Sequence, residues 1–148
     1  MSDFIVLLGR ILMSAVFIVG GWAKFGNPTG WLANTEGVKR FMALLTSNNL
    51  VAAGTTAPTW LAYVIAAIEL FGGIAILIGI KTRWVAWALV VWVIIVTALG
   101  HPYWLLDGAA FAANKSHFYK NLAIMAAYLL LAVHGPGRYS VDGRHTMV

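Results

Sequence analysis

Residues 60–104 read WLAYVIAAIELFGGIAILIGI-KTR-WVAWALVVWVIIVTALGHPYW. Two apolar runs of spanning length are separated by three residues. A transmembrane helix needs about 20 mostly apolar residues, and Trp60–Ile80 carries one charge, Glu69, while Trp84–Leu106 carries none. The Lys81-Thr82-Arg83 link is too short for anything but a tight turn, so the two helices are antiparallel neighbours. Outward from this pair, Phe4–Trp22 is a third run with one charge, Arg10. Phe118–Val133 is a fourth, with Lys120, and reaches spanning length with His117 and His134 at its ends. The expected fold is an all-α membrane protein. Its four-transmembrane-helix bundle has spans at about 4–22, 60–80, 84–104 and 117–134, in one domain over 1–148.

Composition agrees. Hydrophobic residues make up 61% and charged residues 10% of the 148, against about 45–50% and about 25% in soluble domains. So short a chain cannot hide that much apolar surface from water; its solvent is the lipid bilayer. Trp22, Trp60, Trp84, Tyr103 and Trp104 fall at run ends, as interfacial aromatics do. Asp3 and Arg10 argue against a cleavable leader in the first run. The net charge of +5 is scattered, which excludes a nucleic-acid surface. With no cysteine, the chain itself holds no disulfide, thiolate metal site or dithiol relay.

Ala23–Thr59 is the one long connection. It opens on the turn-forming Gly26-Asn27-Pro28-Thr29-Gly30. Val38, Phe41, Met42 and Leu45 then recur at helical spacing, with Lys39 and Arg40 on the other side, which predicts a short amphipathic helix ended by Asn48 and Asn49. Asp107–Ser116 reads as a second loop, and Gly135-Pro136-Gly137 stops the last helix. Four spans put both termini on one side with the 81–83 turn. Basic residues divide evenly, Lys81, Arg83, Arg138 and Arg144 against Lys24, Lys39, Arg40 and Lys115, so charge bias does not set orientation. The tight basic turn favours cytoplasmic termini.

Charges within spans need a partner or a wet cavity. Glu69 shares a helix face with Ala62, Ala66, Gly72 and Gly73, small residues of the kind that let helices approach. Arg10 shares one with Ser14, Phe17, Gly21 and Lys24. Matching the ends of these antiparallel spans puts Arg10 and Glu69 about 7 Å apart in depth, which predicts a buried ion pair. The pair would fix helix register, or make Glu69 a proton acceptor or ligand contact. On the side opposite the termini, His101, Trp104, His117, Lys120 and Asn121 cluster in sequence position. They form either a snorkelling rim or a ligand mouth suited to a carbonyl-bearing headgroup or a carboxylate. Among His101, His117 and Asp107 no spacing defines a metal site, and none is expected. No GxGxxG, P-loop, HExxH or GxSxG occurs, so no motif names a reaction.

Several stretches together resemble the DoxX family of bacterial membrane proteins. These are Glu69-Leu70-Phe71-Gly72-Gly73 with Ile78-Gly79-Ile80-Lys81-Thr82-Arg83, and His101-Pro102-Tyr103-Trp104 with Asp107. His117-Phe118-Tyr119-Lys120-Asn121-Leu122-Ala123 and Gly135-Pro136-Gly137-Arg138-Tyr139-Ser140-Val141-Asp142 complete the set, and the likeness runs in order from about Leu8 to Asp142. The resemblance implies a four-helix protein of the inner membrane. It also implies redox association, since the family name attaches to a subunit of a thiosulfate:quinone oxidoreductase in some relatives, and other relatives are linked to oxidative-stress complexes. Arg10, Glu69, His101, Lys120 and Asn121 match its recurring polar positions. Three functions follow as expectations. One is a subunit or partner of a quinone-linked redox system, with quinone as the implied ligand and a redox protein or a second copy as partner. Another is a non-enzymatic carrier or binding protein for a small apolar or anionic ligand. The third is a structural membrane partner.

Overall fold

The computed structural model describes residues 2–145, with side chains from 2 to 143; the side chains of Arg144 and His145 lie outside the description. Seven α-helices follow in order: α1 (Ser2–Gly26), α2 (Pro28–Asn34), α3 (Glu36–Ser47), α4 (Thr59–Ile78), α5 (Thr82–Gly100), α6 (Gly108–His134) and α7 (Val141–His145). A single 3-10 turn, Tyr103–Leu105, joins α5 to α6. Helices α1, α4, α5 and α6 are long and apolar enough to cross a membrane. The four-helix expectation holds, and most of the large apolar side chains on these helices face outward, toward lipid.

The bundle consists of two tight antiparallel pairs, α1 on α4 and α5 on α6. Glycine sets the first. Gly21 lies against the backbone of Ala66 and Leu70, and Gly73 against Phe17 and Ile18. A methyl group at Gly21 would sit 2.7 Å from the Leu70 nitrogen, so any larger residue forces the helices apart. The pairs join through a core of Phe17, Ile76, Ala86, Leu89, Val90, Val93, Tyr128, Leu131 and Ala132. There Phe17 meets Tyr128 edge to face at 5.6 Å, and the Tyr128 hydroxyl donates to the Met13 carbonyl at 3.2 Å.

Three expectations about the connections change. The long connection holds two helices, not one. Asn27 caps α2 by accepting from the Gly30 N–H at 3.0 Å, and Pro28 opens it. Asn48 ends α3 as expected. However, Arg40 does not face away from the bundle: its guanidinium donates to the Leu99 carbonyl at 3.1 Å, near the end of α5. Gly37 abuts Gly100, so α3 sits on the C-terminal end of α5. The third correction concerns Asp107–Ser116, which is helix from Gly108 onward. Its alanines and Lys115 are good helix formers, and α6 therefore starts well before its apolar run. Helix α5 ends at Gly100, because Pro102 disfavours helical backbone at His101, and the apolar span continues through the 3-10 turn to Leu105.

Candidate functional site

At the end carrying the termini, Arg10 is 1% exposed. Its Nε donates to the Ile76 carbonyl at 2.9 Å and Nη2 to Leu77 at 2.5 Å. Nη1 donates to Pro136 at 2.9 Å and Tyr139 at 2.8 Å. The acceptors in α4 are last-turn carbonyls that no further helical N–H reaches. Gly79, at φ +73°, turns the chain out of the helix there. Arg10 thus closes the end of α4 and ties it to the segment after α6.

Asp142 completes the same end. Its carboxylate accepts from the Lys81 N–H at 2.9 Å and the Thr82 N–H at 2.7 Å, capping α5 from a distant part of the chain. Desolvation pushes this carboxyl up, but the backbone hydrogen bonds outweigh it and leave Asp142 below the usual carboxylate range. A depressed folded-state value adds stability above the unfolded carboxyl range, near 3.9, and that stability fades as pH falls through the folded value. Asp142→Ala is therefore expected to lose about 1 kcal/mol at pH 7, with less difference from the parent near pH 3. Detergent melts at the two pH values check this; an equal difference at both would remove the carboxylate's role.

Glu69 is also buried, but Arg10 is not its partner. Lys24 Nζ meets Glu69 Oε2 at 2.5 Å. Lys24 also donates to the Gly20 carbonyl at 3.1 Å and stands 5.1 Å from the centre of the Trp31 ring. The expected Arg10–Glu69 ion pair is corrected on two grounds. The glycine contacts and the Phe25–Tyr63 ring contact at 5.9 Å set a register in which Glu69 lies opposite Gly20, about 15 Å along α1 from Arg10. In addition, side chains lean toward their own helix N-terminus. That carries Lys24 and Glu69 toward each other and Arg10 away. Gly20 leaves the room: a Cβ there would be 3.2 Å from the Glu69 carboxylate.

On the opposite side, α5 and α6 carry a polar ladder. Asn121 donates to the Thr97 hydroxyl at 2.9 Å, and Thr97 donates to the Val93 carbonyl at 2.6 Å. One turn further out, His101 stacks on His117 at 4.9 Å and pairs with the Asn114 amide at 3.1 Å. Trp104 packs on Tyr103 and Phe118, and Tyr103 also meets Phe111 and Tyr119. Of the five residues expected in a mouth, the structure joins His101 and His117 directly. Lys120 is exposed and stands three residues, about one turn of α6, from His117. Asn121 is turned inward to α5, and Trp104 belongs to the neighbouring ring cluster. Thr97 and Asn114 are the members sequence reading missed; each stands four residues, one helical turn, before His101 or three before His117.

The DoxX family model matches residues 5–102. The chain belongs to the DoxX family. It is 31% identical to inner membrane protein YphA of Escherichia coli over 95% of its own length and 89% of that protein. It is 32% identical to inner membrane protein YqjF of the same organism over 96% and 92% respectively. No solved structure matches it. With four spanning helices, the chain is a multi-pass inner-membrane protein. The DoxX match includes Arg10, Lys24, Glu69 and His101 but stops before α6. His117, Lys120 and Asn121 are instead covered by the full-length relatives.

Proposed function

We propose that this DoxX protein is the membrane-embedded binding component of a quinone-linked redox system. Its ligand would be a flat apolar molecule with carbonyl oxygens, held at the outer end of the α5–α6 seam. The observation supporting this reading is Lys120. It is exposed and makes no hydrogen bond or ion pair among the described residues, and it stands one turn of α6 beyond His117 of the stacked His101–His117 pair; Tyr103, Trp104, Phe111, Phe118 and Tyr119 form an aromatic cluster at the same end of the bundle. An ammonium and an imidazole can donate to carbonyl oxygens, and the rings suit a planar headgroup. Glu69 takes no part, because Lys24 engages it. Hydrogen bonds involving a charged group contribute about 1.5–3 kcal/mol. Lys120→Ala should then lower retention of quinone, measured by chromatography of extracts from purified protein, by roughly tenfold or more. His101→Ala should lower it as well. Parent protein that carries no quinone, or variants that carry as much as the parent, would rule the reading out.

A further inference from the structure

We propose that the termini face carries a separate site for the phosphate headgroup of an acidic membrane phospholipid. A cleft of about 520 Å³ opens there, where α5 begins and α6 ends. Lys81, Arg83, His134 and Arg138 line it, together with Asp3 and Asp142. The two carboxylates are already engaged by backbone: Asp142 by the Lys81 and Thr82 N–H groups, and Asp3 by the Arg138 N–H at 3.2 Å. Neither makes an ion pair with the cleft's cations. The side chains of Lys81, Arg83 and Arg138 are exposed and form no hydrogen bond or ion pair among the described residues. Three cationic heads therefore line one concavity against two carboxylates, Lys81 feels the Asp142 charge, and the cleft keeps a net positive balance with Arg83 and Arg138 outside any ion pair.

The floor is backbone. Gly135 and Gly137, at φ +83° and +74°, fold the chain under the cleft, and a Cβ at Gly135 would stand 3.5 Å from the Arg83 guanidinium. A guanidinium is the group best matched to the paired oxygens of a phosphate. The cleft lies at the ends of two spanning helices, the start of α5 and the end of α6. Trp84, at its edge, is 78% exposed, and Trp87 and Val91 continue that face along α5 into the apolar span. This wall gives acyl chains a path that a free phosphate has no use for, which decides between two sources of the same anion. Basic clusters at a span's edge bind anionic lipid at about fivefold per cation.

Native mass spectrometry of the detergent-purified chain tests the proposal, titrating phosphatidylglycerol or phosphatidylcholine with matched acyl chains. One phosphatidylglycerol should be retained per chain, roughly tenfold or more in preference to phosphatidylcholine. Arg83→Gln and Arg138→Gln should each lower that preference about fivefold, while Arg83→Lys keeps most of it. Both side chains are exposed and unbonded, so melting temperatures should match the parent. No preference for the anionic lipid, or variants that retain it fully, would overturn the site. Inorganic phosphate that displaces phosphatidylglycerol at millimolar concentration, in an Arg83-dependent way, would make free phosphate the occupant and overturn the lipid assignment.

Discussion

Arg10→Ala is expected to destabilise the protein by about 3–5 kcal/mol, since a buried carbonyl left unsatisfied costs about 1–3 kcal/mol and several sharing one donor add only in part. Four carbonyls, those of Ile76, Leu77, Pro136 and Tyr139, accept from the one guanidinium. Alanine leaves all four without their donor in a site where Arg10 was 1% exposed. A hydrogen bond from a charged donor contributes about 1.5–3 kcal/mol, and four sharing one side chain do not add fully. Two elements loosen together, the end of α4 and the segment leading to α7, so the loss should appear in one cooperative melt. Arg10→Lys should recover less than half, because an ammonium lacks the planar fork that serves acceptors in two directions. Circular dichroism melts in detergent would read this as a fall of roughly 10 °C. A melting point within about 2 °C of the parent would show that water or neighbouring groups satisfy those carbonyls instead.

The spans were legible because lipid imposes a length and a composition that soluble folds do not, and Trp60–Ile80 with Trp84–Leu106 met both. The helical start of α6 was not, since Ala109 to Ser116 has helix propensity without hydropathy, and a search for apolar runs passes over it. The partner of Glu69 was misread for a geometric reason. Matching span ends fixes depth only to within a turn or two, whereas α1 and α4 take their register from Gly20, Gly21 and Gly73, where the helices touch. The lean of helical side chains toward the N-terminus was available from sequence and would have favoured Lys24. The clamp built from Arg10 and Asp142 joins residues more than 120 and about 60 positions apart; no local pattern announces such contacts. The polar seam between α5 and α6 was half legible. His101 and His117 stood out as imidazoles at span ends, but Thr97 and Asn114 look like ordinary helix residues until α5 and α6 are laid side by side.

Lys24→Met should cost more stability than Glu69→Gln, although the two residues form one salt bridge. The pair is nearly shut away, with both side chains 12% exposed. Removing either member strands the other charge, for roughly 3–5 kcal/mol in buried soluble pairs. The survivors differ in what they can do next. Lys24 stands two residues from the end of α1, and a long stem lets its ammonium snorkel out to the interface. Glu69 sits near the middle of α4 with a short side chain walled by Gly20 and cannot follow. Lys24→Met is therefore expected near the top of the range and Glu69→Gln at about 1–3 kcal/mol. Combining them should be less damaging than their sum by about 2 kcal/mol, since neither charge then remains to be stranded. Arg10→Ala with Glu69→Gln should add within about 0.5 kcal/mol, because the two sites share no partner. Denaturation in mixed detergent micles, run as two double-mutant cycles, separates the possibilities. Coupling of Glu69 to Arg10 rather than to Lys24 would mean that α1 and α4 pack in a different register from the one the glycine contacts set.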